Sequence, residues 1–267
     1  TLLKETKRTA LTPGTVVYKG SEYGALKNLE SDFSGDHRLS EHLDFGKCTE
    51  EYSSVWADFL KTGSLLKKDA ASAPEDFQCS QVFYQTLKEA VCKSEKDNWY
   101  AHYQLGLMHW YYGHISRARK ELIISEELQS NPWSCHALGI LNHDDPAAAV
   151  NYIKNGLSMR NFDLTYVKEA FQQFLILNAG QELLDAYSEL PEEIKLDSRI
   201  KYDYMSALAM TGNYQKGYDI LMADENYILE DLRECETSIG TLYRNLYKGV
   251  FGTDPDSIPS QWDFDAL

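Results

Sequence analysis

Short turn signals recur along the sequence at a nearly constant spacing, and this spacing constrains the fold more than any other feature. Between residues 80 and 250, apolar side chains recur at three- and four-residue steps, a pattern typical of amphipathic helices. The pattern is interrupted at points 33, 34 and 32 residues apart, at Gly113, Pro146, Gly180 and Gly212. A period of about 34 residues is typical of a repeated helix–turn–helix unit. The spacing therefore predicts an array of helical hairpins.

The unit that begins at Trp99 shows the repeat most clearly. Its key positions resemble the tetratricopeptide (TPR) pattern one by one: Leu105, Gly106, Gly113, Ile115, Ala118 and Leu122. Small residues at Gly106 and Ala118 are expected where two helices cross closely, because a larger side chain would push the backbones apart. The pattern returns 99 residues later around Gly212 and Gly217. The chain is therefore predicted to be all-α, a TPR-like right-handed helical-hairpin solenoid.

The other units match the pattern less well. Gly139 followed by Ala149 fits only if the turn between the two helices is two residues shorter than usual. Residues 164–190 keep the helical period but little of the consensus. With a degenerate first pair around Trp56, the TPR-like repeats are predicted to extend over residues 51–226.

The two ends of the chain are predicted to differ from the repeats. Residues 1–50 contain a β-branched stretch and five glycines, so we expect an extended N-terminal arm with at most one short hairpin. Residues 227–267 are predicted to form a capping helix, which hides the last apolar face of a solenoid, and an extended C-terminal tail. We expect Trp262 and Phe264 to anchor that tail. Because the sequence starts at Thr1 without an initiator Met, we also expect it to be part of a longer protein.

Composition narrows the classes of partner. The 41 acidic residues outnumber the 26 basic ones and give a net charge of −15, which disfavours nucleic acid and favours a basic or neutral partner. No apolar run approaches the roughly 18 residues of a membrane span, so no membrane partner is expected. The five cysteines form no C-x-x-C pair, a pattern typical of reduced thiols, and a cytoplasmic location is predicted.

One face of the helix predicted over residues 99–113 is a candidate binding groove. Its side chains follow helical spacing and form a single stripe: Tyr100, Tyr103, Leu107, Trp110 and Tyr111. By the TPR resemblance this stripe faces the concave side of the solenoid. Tyrosine and tryptophan there could grip a peptide or stack on sugar rings. The alternative is that core packing or another segment covers them.

Other candidate chemistry has simpler explanations. His102 and His109 share a face of the same helix, where packing is a better explanation than metal binding, and no H-E-x-x-H or similar metal motif occurs. Arg233 and Glu236 are spaced for an ion pair on the capping helix, which explains them better than acid–base catalysis. The sequence therefore predicts no catalytic residues, no metal and no cofactor.

Several stretches, in order along the chain, together resemble one family. They are Thr12–Leu26, His42–Phe45, Trp56, Gly63, Trp99–Gly113, Leu190–Pro191, Asp231–Glu236, Pro259 and Asp263–Phe264. The family consists of large bacterial proteins in which a β-sandwich domain of unknown function, similar to galactose mutarotase, precedes a tetratricopeptide region. The chain departs from the family pattern at Cys235, where the family has glycine, and at Asp265–Leu267. The resemblance implies that this chain is the C-terminal helical region and that any catalytic residues lie on the preceding domain.

These observations lead to a protein-interaction module as the leading hypothesis. The solenoid would bind a peptide partner or pack on the protein's own N-terminal sandwich domain. The alternative is an accessory, substrate-contacting domain of a carbohydrate-processing enzyme, whose groove aromatics would touch an oligosaccharide. A free-standing enzyme is the least favoured reading.

Overall fold

The described part of the chain is almost entirely helical. The computed structural model describes residues 18–19, 22–37, 39, 43–49, 51–93, 97–159, 162–224, 227 and 239–263. They form thirteen helices and one pair of two-residue strands, so the expectation of a helical fold is confirmed there. The chain divides into two compact units, Thr1–Ser130 and Asn131–Leu267.

The first unit contains two strands and five helices among its described residues. They are β1 (Tyr18–Lys19), α1 (Glu22–Ser34), β2 (Leu43–Asp44), α2 (Glu51–Thr62), α3 (Gln81–Ala90), α4 (Trp99–Tyr111) and α5 (Ile115–Leu128). An irregular segment, residues 63–80, joins α2 to α3.

The prediction of an extended arm over residues 1–50 is wrong for its described part. Helix α1 occupies thirteen of these residues, and β1 pairs with β2 in parallel, so the two strands do not form a hairpin. One glycine taken as a sign of extended chain serves packing instead, because a Cβ on Gly24 would lie 2.0 Å from the Phe45 ring. The Glu22 carboxylate accepts hydrogen bonds from the Thr49 amide at 2.7 Å and the Ser53 hydroxyl at 2.5 Å, which ties α1 to the start of α2.

The second unit contains eight helices among its described residues. They are α6 (Pro132–Leu141), α7 (Pro146–Ser158), α8 (Leu164–Ile176), α9 (Gly180–Glu189), α10 (Glu192–Lys195), α11 (Ser198–Met210), α12 (Tyr214–Ala223) and α13 (Ile239–Phe251). Helix α13 lies within the segment predicted to contain the capping helix. Arg233 and Glu236, the predicted ion pair, lie outside the described residues.

The C-terminal tail is anchored by Trp262, as predicted. Its side chain is buried in an apolar cluster with Tyr243, and its indole Nε1 donates to the Tyr227 carbonyl oxygen at 3.3 Å. Phe264, the second predicted anchor, lies outside the described residues.

Four helical hairpins carry the predicted period. They are α4–α5, α6–α7, α8–α9 and α11–α12, and their first helices begin 33, 32 and 34 residues apart. Each first helix starts at an Asn or Asp whose side chain accepts a backbone N–H of the first turn: Asn98, Asn131, Asp163 and Asp197. Such N-caps each contribute about 1 kcal/mol to helix stability. These caps recur at nearly the same spacing as the turn signals. They are therefore a second sign of the repeat, which was predicted from the turn signals alone.

Three of the four hairpins share one turn geometry. Gly113 and Gly212 have φ of 74° and 79°, and the residue after each donates its N–H to the carbonyl five positions back, a Schellman-type closure. In the α8–α9 turn the residue with left-handed backbone is Asn178, with φ of 56°, and not the predicted Gly180. Gly180 is instead the first residue of α9, where a Cβ would meet the Met210 side chain at 3.0–3.2 Å. Its small size therefore serves packing.

The predicted close crossings of the hairpin helices are present. A Cβ on Gly106 would lie 2.8 Å from Leu122 and 3.4 Å from the Ala118 carbonyl oxygen. A Cβ on Gly139 would meet Ile153 at 2.7 Å and the Ala149 carbonyl oxygen at 3.4 Å. The expected shortening by two residues does not lie in the turn of α6–α7, because α6 itself ends earlier after its glycine. Asn142 closes that end by donating from its side chain to the Leu138 carbonyl at 2.7 Å.

Within the second unit, consecutive hairpins pack through their first helices. Helix α8 contacts α6 and α11, and α11 contacts α13. The apolar side chains between them form continuous clusters, including Phe171, Phe174 and Ile200.

Enlarging the small residue at the α4–α5 crossing should destabilise the fold. Ala118 is fully buried, so Ala118→Leu is expected to lower the free energy of unfolding by about 1–3 kcal/mol through overpacking. Ser116→Leu, at an exposed position of the same helix, is the control, with an expected change within about 0.5 kcal/mol. The measurement is urea unfolding followed by circular dichroism. Equal effects of the two substitutions would contradict the close crossing.

Candidate functional site

The predicted groove on α4 is largely covered. Tyr100 is 1% and Tyr103 is 9% exposed, so the prediction that they line an open groove is wrong. Of the remaining stripe, Leu107 and Trp110 are half-buried, and Tyr111 is 58% exposed with its ring centroid 5.8 Å from that of Phe77. The five residues therefore do not form one accessible surface.

The irregular segment 63–80 is what covers α4. Side chains of α2, of α4 and of its flanking residues donate hydrogen bonds to backbone carbonyl oxygens of this segment, at distances of 2.5–2.9 Å. The donors are Trp56, Asn98, Trp99, Gln104 and Tyr112, and the acceptors are the carbonyl oxygens of Asp76, Leu65, Lys68, Glu75 and Cys79, respectively. An irregular segment of the protein's own chain therefore packs on α4, beside the residues that the sequence predicted to line a binding groove.

One side chain of the segment, that of Glu75, also forms a hydrogen bond with α4. The Glu75 carboxylate accepts hydrogen bonds from the Tyr100 hydroxyl and the Lys68 ammonium. Burial acts to raise the pKa of Glu75, but these two hydrogen bonds outweigh it and hold the pKa below its ordinary value. Burial and the Glu75 carboxylate together raise the pKa of Tyr100, which keeps its hydroxyl a donor. The segment therefore supplies a hydrogen-bond acceptor, the Glu75 carboxylate, and α4 supplies a donor, the Tyr100 hydroxyl.

The two histidines of α4 are engaged within the first unit. His102 is 6% exposed, and its Nδ1 and Nε2 lie 2.6 Å from Glu121 and 2.7 Å from Asp97. Burial acts to lower the pKa of His102, but the hydrogen bonds and charges of Glu121 and Asp97 outweigh it and raise the pKa. His109 lies 3.0 Å from the Tyr84 hydroxyl, and burial lowers its pKa. His102 is therefore held by two carboxylates and His109 by a tyrosine hydroxyl. No group of three His, Cys, Asp or Glu among the described residues could hold a metal ion.

An open cavity occurs in the second unit, on the same side of its first helices. It measures about 950 Å³ and lies between α8, α11, α13 and the start of α12. One wall is apolar and includes Ile176, Met210 and Tyr214, whose ring packs against Gly249. Helix α13 adds the polar residues Thr241, Asn245 and Lys248 to the lining.

The cavity lies at the positions of α11 that correspond to the predicted stripe of α4, three repeats later in the sequence. Moving the five stripe positions of α4 forward by 99 residues gives Arg199, Tyr202, Ser206, Ala209 and Met210, and all five line the cavity. The same five positions are thus largely covered on α4 and line an open cavity on α11. The 99-residue spacing between Gly113 and Gly212 indicates these cavity residues when it is applied to the stripe as well as to the glycines.

Asp203 is the one buried acidic residue that lines the cavity. It is 0% exposed, Arg199 Nε lies 3.3 Å from its Oδ1, and neither of its oxygens makes a hydrogen bond of good geometry among the described residues. Burial raises the pKa of Asp203 to about 7, against the opposing charge of Arg199. Unsatisfied buried carboxyl groups are costly and concentrate at functional sites. Spacing of i and i+4 on α11 predicts the Arg199–Asp203 pair, but not its burial.

Comparison with known proteins identifies no relative. No family model, curated protein or solved structure matches this chain significantly. The resemblance to the repeat region of large bacterial proteins therefore stays a prediction. None of the described helices combines the length and the apolar character needed to cross a membrane.

Truncating Tyr100 tests whether the predicted groove residues belong to the core. Because Tyr100 is buried under Glu75, Tyr100→Ala should lower the free energy of unfolding by about 3–5 kcal/mol, as for other large aromatics. Tyr111→Ala, at an exposed position of the same stripe, should change it by about 0.5 kcal/mol or less. Chemical denaturation measures both. A small effect of Tyr100→Ala would restore the open groove on α4.

The two carboxylates around His102 should make the stability of the first unit depend on pH. Because the folded-state pKa of His102 is raised, its contribution is fully present below the unfolded value of about 6.5 and is lost as pH rises through the folded value. The thermal midpoint should therefore fall between pH 6 and pH 8.5, and fall less in His102→Gln. Parallel pH profiles of the two proteins would show that His102 is not the group responsible.

Proposed function

We propose that this chain is a protein-interaction module, a TPR-like right-handed solenoid that binds an extended polypeptide segment in the cavity between α8, α11 and α13. The observation that carries the proposal is the equivalence of the stripes on α4 and α11. On α4, Tyr100 of the stripe and the neighbouring Gln104 form hydrogen bonds with Glu75 of the protein's own irregular segment, and on α11 the positions equivalent to the stripe line an open cavity. A face that packs against a non-helical segment in one repeat is well suited to receive one in another.

The lining of the cavity supports a polypeptide as the ligand. An extended peptide presents amide groups along its length and side chains on alternating sides. Asn245 and Gln172 offer side-chain amides, which can both donate to and accept from a peptide group. Ile176, Met210 and Tyr214 offer an apolar wall for side chains. The equivalent segment on α4 is held in the same way, through side-chain donors bound to its backbone carbonyls.

The proposal also covers the source of the bound segment, the alternative ligand and the location of the protein. The N-terminal domain of a longer protein is one source of a segment for the cavity. The alternative of oligosaccharide binding loses Tyr100 and Tyr103, which are buried, and retains Trp110, which is half-buried, and Tyr111, which is exposed. A cytoplasmic location stays a prediction from the cysteine pattern.

Selection from a random 12-residue peptide library displayed on phage tests the proposal. The intact chain should enrich clones that bind through the cavity, so binding should be lost in Asn245→Trp, which fills the cavity from an exposed position of α13. Arg244→Trp, at the adjacent exposed position that does not line the cavity, should retain it. Circular dichroism verifies that both variants are folded. Failure to enrich any clone, or equal binding by Asn245→Trp, would contradict the proposal.

A further inference from the structure

Three of the four first helices of the hairpins end on the same kind of side chain. Helices α4, α8 and α11 each have 13 residues, and their last residues are Tyr111, Ile176 and Met210. All three are large hydrophobic side chains that remain exposed, by 58%, 54% and 41%. One exposed hydrophobic residue needs no explanation, but its return at the same position of the repeat does. The repeat therefore places an apolar contact point at the end of each of these helices.

On α4 this contact point is already in use. The ring of Phe77, which belongs to the irregular segment 63–80, packs on Tyr111 with the ring centroids 5.8 Å apart and the ring planes at 58°. The backbone of the segment is held two residues before Phe77, where Gln104 Nε2 donates to the Glu75 carbonyl oxygen at 2.9 Å. A non-helical segment therefore brings an aromatic ring to the last residue of α4.

On α8 and α11 the same two contact points line the open cavity. Met210 packs against the start of α9, where a Cβ on Gly180 would lie 3.0 Å from the Met210 Sδ. Tyr214 continues the apolar wall, and its ring packs in turn against Gly249. Ile176 and Met210 thus belong to a wall that is packed on the fold and still leaves about half of each side chain accessible from the cavity.

We infer that the polypeptide bound in the cavity packs a phenylalanine, tyrosine or tryptophan side chain against Ile176 and Met210, as Phe77 packs on Tyr111. This inference rests on the proposed function. An aromatic ring is favoured over an aliphatic side chain, because rings make favourable contacts with the thioether sulfur of methionine. A ring also buries a large apolar area at a low cost in side-chain entropy. The ends of α8 and α11 therefore select the ligand by its aromatic side chain.

The selected peptides test this inference with a double-mutant cycle. Clones that depend on the cavity should share one aromatic position, and alanine at that position of synthetic peptides should weaken binding at least about tenfold. Against the chain that carries both Ile176→Ala and Met210→Ala, the same replacement should change affinity by less than about twofold, because the interaction is already lost. Fluorescence anisotropy with labelled peptides gives the affinities, and circular dichroism verifies that the variant is folded.

A methionine outside the cavity provides the matched control. Met222 on α12 is 37% exposed, close to the value for Met210, and does not line the cavity. Met222→Ala should therefore bind every peptide like the unmodified chain.

A spectroscopic measurement on the unmodified chain tests the same contact if the alanine variant does not fold. With the methionine methyl groups labelled with ¹³C, the signal of Met210 should shift when the peptide binds, because the ring current of an aromatic side chain displaces the signals of nuclei that it contacts. Cyclohexylalanine keeps the shape of the side chain but has no ring current, so a peptide that carries it should lack this shift. The Met222 signal should stay in place with both peptides. Met210→Leu and Met222→Leu, which conserve volume, assign the two signals.

The outcomes separate this inference from the proposed function. Clones that require the cavity but share no aromatic position would overturn the inference and leave peptide binding intact. The absence of any cavity-dependent clone would overturn both. Equal loss on alanine replacement against the unmodified and the doubly substituted chain, or a Met210 signal that responds equally to the aromatic and the cyclohexylalanine peptide, would show that the ring binds elsewhere and overturn the inference.

Discussion

The close crossing of two helices at a small residue is the constraint on which the rest of the structure depends. Gly106 and Gly139 let the second helix approach so closely that a Cβ would collide with Leu122 or Ile153. This approach fixes which face of each first helix is turned inward to its partner. The first helices start at nearly constant intervals, each behind an Asn or Asp cap. A position in the sequence of one hairpin therefore has a counterpart in another, found by counting residues.

The protein uses this recurring face in two ways. On α4 the face is occupied by residues 63–80, whose backbone carbonyls are held by tryptophan, asparagine, glutamine and tyrosine side chains. On α11 the equivalent positions line an open cavity. The two stripes therefore differ in whether another segment of the chain covers them.

The sequence predicted the local features well and the covering segments poorly. Turns at Gly113 and Gly212, the close crossings and the buried Trp262 follow from spacing and residue size, which act over a few helical turns. The helix over residues 22–34 was missed because Gly24 was interpreted as a loop signal, although its role is to make room for Phe45. The burial of Tyr100 could not be predicted, since it depends on a segment without periodic pattern that ends about 20 residues earlier. The repeat spacing predicts the residues that line the α11 cavity only when the stripe of α4 is moved forward by three periods.

Hydrogen–deuterium exchange of the intact chain, with and without a selected peptide, tests most directly whether the α11 stripe is the binding face. Slower exchange is expected in α8, α11 and α13 when the peptide is bound, because these three helices line the cavity. No change is expected in α4, whose equivalent face is already covered by residues 63–80. Protection of α4 and its covering segment, with α11 and α13 unaffected, would contradict binding at the α11 stripe.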